Sequence, residues 1–240
     1  LLGLPEVGSD TFFLMGQRQT GKSTLLKSLY GDQALWIDFL EPAIYRRLLQ
    51  FPEQLEELIE ASGKQFVVID EFQKIPTILD SVHRLHENKK IRFALCSSSA
   101  RKITRGKANL LGGRGMLYKL YGLSAMEIGE DFELTKLLNH GYLPGYYQAS
   151  HPLRSLNTYV SLYLREEIAA EGIVRNLPAF SDFLQVAAHS DGEILNYTNI
   201  ATETGVSVET VRSYYTILSD TLLGSYLNPY RKNSKRRTIA

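Results

Sequence analysis

Apolar residues follow two rhythms along this chain, and the change between them divides it. Strand-length, mostly apolar runs occur at 12–15 (FFLM), 34–39 (ALWIDF), 66–70 (FVVID), 91–96 (IRFALC) and 116–121 (MLYKLY). Runs of that kind belong to strands covered on both faces, as in a parallel sheet. Between them the spacing turns helical: Leu25, Leu26 and Leu29 form one apolar face, and Leu55, Leu58 and Ile59 form another behind Pro52, a residue suited to a first helical turn. The alternation predicts a parallel sheet flanked by helices. Beyond about residue 130 the strand signals fade, and Leu153, Leu156, Val160, Tyr163, Leu164 and Ile168 recur at helical spacing between Pro152 and Gly172. We find no internal repeat and expect three parts, 1–130, 131–180 and 181–240.

The first apolar run passes directly into "GQRQTGKST", where Gly16, Gly21, Lys22 and Ser23 fit the pattern G-x-x-x-x-G-K-[ST] between a strand and a helix. Two glycines let the backbone curl until successive N–H groups face a phosphate, and the helix beginning there adds its positive dipole end. The candidate ATP-binding residues are Gly16, Gln17, Arg18, Gln19, Thr20, Gly21, Lys22, Ser23 and Thr24. Lys22 would neutralise the terminal phosphates, Ser23 would offer its hydroxyl to Mg²⁺, and Thr24 could reach the first phosphate.

Further along, "FVVIDEFQKIP" ends a buried strand in Asp70 and Glu71 at the edge where a parallel sheet presents its ligands. Asp70 can hold Mg²⁺ through a water, and Glu71 can orient an attacking water in line with the terminal phosphate. The fourth run is followed by Ser97, Ser98, Ser99 and Arg101, then by Arg105, Lys107 and Arg114, a basic loop able to offer an arginine finger from this or a neighbouring subunit. Solvated acids and a solvated basic loop are the plain alternatives for each piece taken singly. Asp38, which ends "LWID", reads more simply as a helix cap than as a catalyst.

Residues 194–224 carry helix-turn-helix spacing: Ala201 and Gly205 stand four apart, Val208 and Val211 follow, and Ser207 can cap a second helix running to about Ser219. Its expected outer face is Ser207, Glu209, Thr210, Arg212, Ser213 and Tyr214. Arg212 and the run "RKNSKRR", with Arg231, Lys232, Lys235, Arg236 and Arg237, point to double-stranded DNA. Glu209 and the lack of lysine on that face point instead to a protein-interaction fold of winged-helix type.

Composition narrows the class. At 240 residues and 44% hydrophobic, the chain can bury more than one core. Net charge is +1, but the basic run holds five positive charges, leaving −4 on the remainder. No apolar run approaches the roughly 20 residues of a membrane helix. A single cysteine, Cys96, cannot form an internal disulfide and offers no metal-ligand spacing, so a cytoplasmic setting is the expectation. Opening on Leu1 and closing on "TIA" directly after the basic run, the sequence reads as a fragment.

The order of phosphate loop, acid pair, polar strand end and basic loop, followed by helices, resembles the AAA+ class of ATPases. More closely, "GQRQTGKSTLLKSLY", "VVIDEFQKIP", "SSSARKITRGKANLLGGRG" and "YLREEIAAEGIVRNLPAF" resemble a prokaryotic ATPase family in which an AAA domain precedes a C-terminal nuclease-like domain of unknown function. The resemblance spans nearly the whole chain. It implies an α/β P-loop NTPase with an AAA+-like parallel sheet, a helical lid and a winged-helix domain, with ATP and Mg²⁺ as ligands. It also implies Ser98 as a sensor of the terminal phosphate, Arg114 of "GGRG" as the finger, and a second, lid-borne sensing arginine that the resemblance does not place, with Arg175 as a candidate. This chain departs from the family where the strand before the serines usually closes on Thr-Gly, for Cys96 and Ser97 stand there. The nuclease-like domain would lie beyond residue 240, with the basic run bridging to it. The expected activity is ATP hydrolysis coupled to DNA or partner binding, with self-association open; the alternatives are a nucleotide-operated switch with little hydrolysis and a P-loop kinase.

Overall fold

The computed structural model describes residues 2–98, 115–163, 168, 174 and 176–228. Five parallel strands, β1 (Phe12–Gly16), β2 (Leu35–Asp38), β3 (Phe66–Asp70), β4 (Arg92–Ser97) and β5 (Met116–Leu120), form one sheet in the order β2-β3-β4-β1-β5. Each falls on a run marked by the sequence. Alternation along the strands sorts two cores. Phe13, Met15, Val67, Ile69, Phe93 and Leu95 face α2 (Pro42–Gln50), α3 (Leu55–Ser62) and α4 (Ile78–Lys89), while Phe12, Leu14, Val68, Ala94 and Cys96 share the other face with Leu26 and Tyr30 of α1 (Lys22–Tyr30). Because both faces are covered, apolar residues run without a polar break. Only β5, at the sheet edge, leaves apolar side chains such as Met116 and Leu117 exposed.

Leu29 and Asp38 depart from the roles their places in the sequence suggest. Leu29 is 46% exposed, since α1 turns Leu26 and Tyr30 to the sheet instead. Asp38 accepts the Leu40 N–H at 2.7 Å and so closes the turn after β2, whereas α2 is entered through Glu41 and Pro42.

Past the sheet come short helices, α5 (Ala125–Ile128), α6 (Leu134–His140) and α7 (Pro144–Tyr147), then the longer α8 (Pro152–Tyr163). Ser124 and Glu127 form a reciprocal capping box at α5. Three more helices, α9 (Leu177–His189), α10 (Tyr197–Thr204) and α11 (Val208–Asp220), bury a separate cluster built on Phe180, Phe183, Val211, Tyr214 and Tyr215. Ile168 and Val174 belong to that cluster. The helix-turn-helix spacing takes shape as expected: Gly205 closes α10 at φ 66°, and the Ser207 hydroxyl accepts the Thr210 N–H at 3.1 Å to start α11.

Tyr214, placed on the outer face by sequence, is buried. Val211 already faces the core, and three residues on, the Tyr214 ring packs edge-on against Phe180 with centroids 4.9 Å apart. After Leu120 the described residues contain no strand, so they include no wing hairpin.

α11 ends in a Schellman turn: the Leu223 N–H reaches back to the Leu218 carbonyl, the Leu222 N–H to that of Ser219, and Leu222 takes φ 60°. Its side chain belongs to the cluster on the α2–α4 face of the sheet.

Candidate nucleotide-binding site

The strand order brings the C-terminal ends of β3, β4 and β1 side by side, so Gly16, Asp70 and Ser97 share one sheet edge. At Gly16 only glycine fits, because a Cβ there would stand 2.4 Å from the Leu120 carbonyl oxygen and 2.9 Å from Thr20 Oγ1. Gly21 enters α1 at φ 87° with no side-chain cap, leaving that helix's first N–H groups directed into the loop.

Lys22 is buried under the loop, its ammonium donating to the Gly16 carbonyl at 2.8 Å and the Gln17 carbonyl at 2.7 Å. Thr20 donates its hydroxyl to the same Gln17 carbonyl at 2.9 Å. The Gln17 side chain turns away from the loop and donates to the Leu222 carbonyl at 2.5 Å and the Tyr142 hydroxyl at 3.2 Å. Arg18 is half-buried; Gln19 and Thr24 are exposed.

Ser23 and Asp70, assigned to Mg²⁺ from the sequence, are brought together: the Ser23 hydroxyl donates to Asp70 Oδ2 at 2.5 Å, and Oδ1 accepts the Glu71 N–H at 3.0 Å. A hydroxyl beside a carboxylate is the oxygen set that Mg²⁺ takes, with phosphates and waters completing its shell. Among the described residues no three His, Cys, Asp or Glu side chains cluster as a metal cage. These residues therefore fit an ion that arrives with a nucleotide.

Glu71 sits at φ 55°, a conformation that bends the chain sharply out of β3. One of its carboxylate oxygens, Oε2, accepts from the Ser98 hydroxyl at 3.2 Å and from the Gln73 amide, and that amide also donates to Ser98 at 3.0 Å. Burial pushes the Glu71 carboxyl above the ordinary glutamate range, opposed by the Gln73 hydrogen bond and then by the Lys22 charge. Burial, with Asp70 nearby, likewise drives the Cys96 thiol well up, which keeps it protonated. Gln73, within "FVVIDEFQKIP", is a functional neighbour that carries no charge or spacing to mark it in the sequence. It is buried, and its amide oxygen has no hydrogen-bond partner.

The described residues do not include Ser99, Arg101, Arg105, Lys107, Arg114 and Arg175, nor Arg231, Lys232, Lys235, Arg236 and Arg237. Arg212 is exposed, and its guanidinium lies over the Tyr197 ring at 4.9 Å from the centroid.

A five-stranded parallel sheet with a phosphate loop at its ligand edge defines an α/β P-loop protein of AAA type. Residues 9–129 match the AAA domain family, and the chain belongs to it. AAA domains are nucleotide-binding modules that typically take ATP with Mg²⁺. Residues 131–240 match a domain of unknown function (DUF8612). No curated protein matches the chain. Among solved structures it is similar to C. elegans PCH-2, at 14% identity and a TM-score of 0.32 over 86% of this chain and 61% of that one. At that score the likeness carries no argument, and the chain spans less than two thirds of PCH-2.

Proposed function

We propose that the protein is a Mg²⁺-dependent ATPase whose nucleotide cycle changes how its C-terminal helices engage a partner. The observation that carries the hydrolytic reading is the placement of Glu71, bonded to Ser98 at the end of β4 and next in sequence to an Asp70 already paired with Ser23. In this reading Glu71 orients a water and accepts its proton as the oxygen attacks the γ-phosphorus. The bond to the ADP oxygen then breaks, with Lys22 holding the charge that gathers there. Ser23 and Asp70 would hold Mg²⁺, which would supply neutralisation of the phosphate charge. Ser98 keeps the Glu71 carboxylate in place, and Arg114 is the candidate finger.

For the partner, the charge of the helical unit favours protein over DNA. Residues 177–228 carry Asp182, Asp191, Glu193, Glu203, Glu209 and Asp220 against Arg212 alone, and Arg212 is stacked on Tyr197. A second reading, DNA held through "RKNSKRR", rests on the five basic residues of that run.

Phosphate release from ATP with Mg²⁺ and no acceptor tests the activity. Steady release that stops with EDTA is the expected result. Release that waits for an added small-molecule acceptor would make the protein a kinase, and nucleotide binding without release would make it a switch.

A further inference from the structure

Gln17, the first variable residue of the phosphate loop, is engaged at both of its ends. Its carbonyl accepts from Lys22 at 2.7 Å and Thr20 at 2.9 Å, while its buried amide donates at 2.5 Å to the carbonyl of Leu222, 205 residues along the chain. Leu222 occupies the position of the Schellman turn where glycine is usual, at φ 60°. Glycine would close α11 with less strain. What leucine adds is a side chain buried in the cluster of Phe13, Met15 and Phe72 rather than in that of its own helices. Four non-glycine residues among those described have positive φ, and three of them gather here: Gln19 in the loop, Glu71 beside it and Leu222 docked on it. Strain of this kind persists where surrounding contacts hold it, and it concentrates at working sites.

We propose that Leu222 is a positioning residue for the phosphate loop and a latch between nucleotide and C-terminal helices. Docked, it fixes Gln17, and Gln17 in turn keeps Lys22 on the loop's own carbonyls. A nucleotide gains Lys22 only by drawing it from those carbonyls to the phosphates, which unsettles Gln17 and its bond to Leu222. Docking and nucleotide binding therefore oppose each other, and by linkage each weakens the other by the same factor. The inference rests on the nucleotide-binding reading above and makes the α9–α11 unit the element that ATP releases for its partner.

The test uses the whole chain and a fluorescent ATP analogue with Mg²⁺. Leu222→Asp sets a charge against the apolar cluster, and Leu222→Gly removes the anchoring side chain while relaxing the turn. Both are expected to bind the analogue about tenfold more tightly than wild type, with the thermal transition of the sheet retained. In the unaltered protein, ATP is expected to speed amide exchange at 221–224 about tenfold. A merely structural leucine would give weaker binding and a lower melting temperature. Unchanged or weakened affinity in both variants, or exchange at 221–224 that ATP leaves alone, overturns the latch while nucleotide binding stands. No binding by wild type overturns the latch and the nucleotide reading together.

Discussion

Glu71→Gln separates chemistry from binding because the replacement preserves the local geometry. The amide oxygen of the variant can still accept from Gln73 and Ser98, as Oε2 does now, so what disappears is the negative charge and the capacity to take a proton. A positioned general base contributes about 10²–10⁴-fold, or roughly 3–5 kcal/mol of barrier. We expect phosphate release to fall by two or more orders of magnitude while affinity for the ATP analogue stays within about threefold. Burial adds a second, opposite signature. The carboxyl of the folded protein titrates above its unfolded value, so ionised Glu71 costs stability. That cost is absent below the ordinary glutamate range, near pH ~4.3, and complete once pH exceeds the raised value. The variant should therefore resist urea better than wild type at pH 7, and the advantage should vanish near pH 4. Turnover within about threefold of wild type would refute the assigned role. A variant less stable at pH 7 would refute the account of Glu71 as a buried charge held at a cost.

Gln73→Ala removes the hydrogen bond that favours ionised Glu71, so the acidic limb of the activity profile should move to higher pH; a limb that stays in place contradicts the role given to this amide. Gly16→Ala puts a methyl group against the Leu120 carbonyl and should lower stability by about 1–3 kcal/mol in urea titrations, with nucleotide binding impaired. Neutralising Arg236 and Arg237 should flatten the dependence of log affinity for duplex DNA on log salt by about one to two units, at a slope near −0.9 per phosphate; absence of any salt-dependent binding would leave the protein-partner reading.

What the sequence disclosed follows the range of the interactions involved. The three inner strands were legible because burial on both faces writes an apolar run into each, the edge strands because their runs are strand-length and mostly apolar, and the phosphate loop because its geometry needs Gly16 and Gly21 at a fixed spacing. Tyr214 was misplaced because a helical face read by spacing alone is uncertain by one position, which at 100° per residue separates solvent from core. Gln73 lay in plain view, but an uncharged amide gives no signal until the fold sets it between Glu71 and Ser98. The bond from Gln17 to Leu222 had no local trace at all, since it joins a side chain to a backbone carbonyl and any residue but its neighbours could supply one.

The strand order has a consequence for synthesis. β1 is made first yet borders β4 and β5, not β2, so Phe12, Phe13, Leu14 and Met15 have no strand to pair with until residues 92–97 and 116–120 exist. During translation the N-terminal segment must therefore wait as an unpaired, wholly apolar stretch while about eighty further residues are added at ~5–20 per second. Its first strand-forming surface arrives with β4, at the same moment as Ser97 and Ser98. On a nascent chain the strand that leads into the phosphate loop has no partner before β4 has emerged, and a ribosome stalled between β1 and β4 would hold out an unpaired apolar segment open to chaperones and to aggregation.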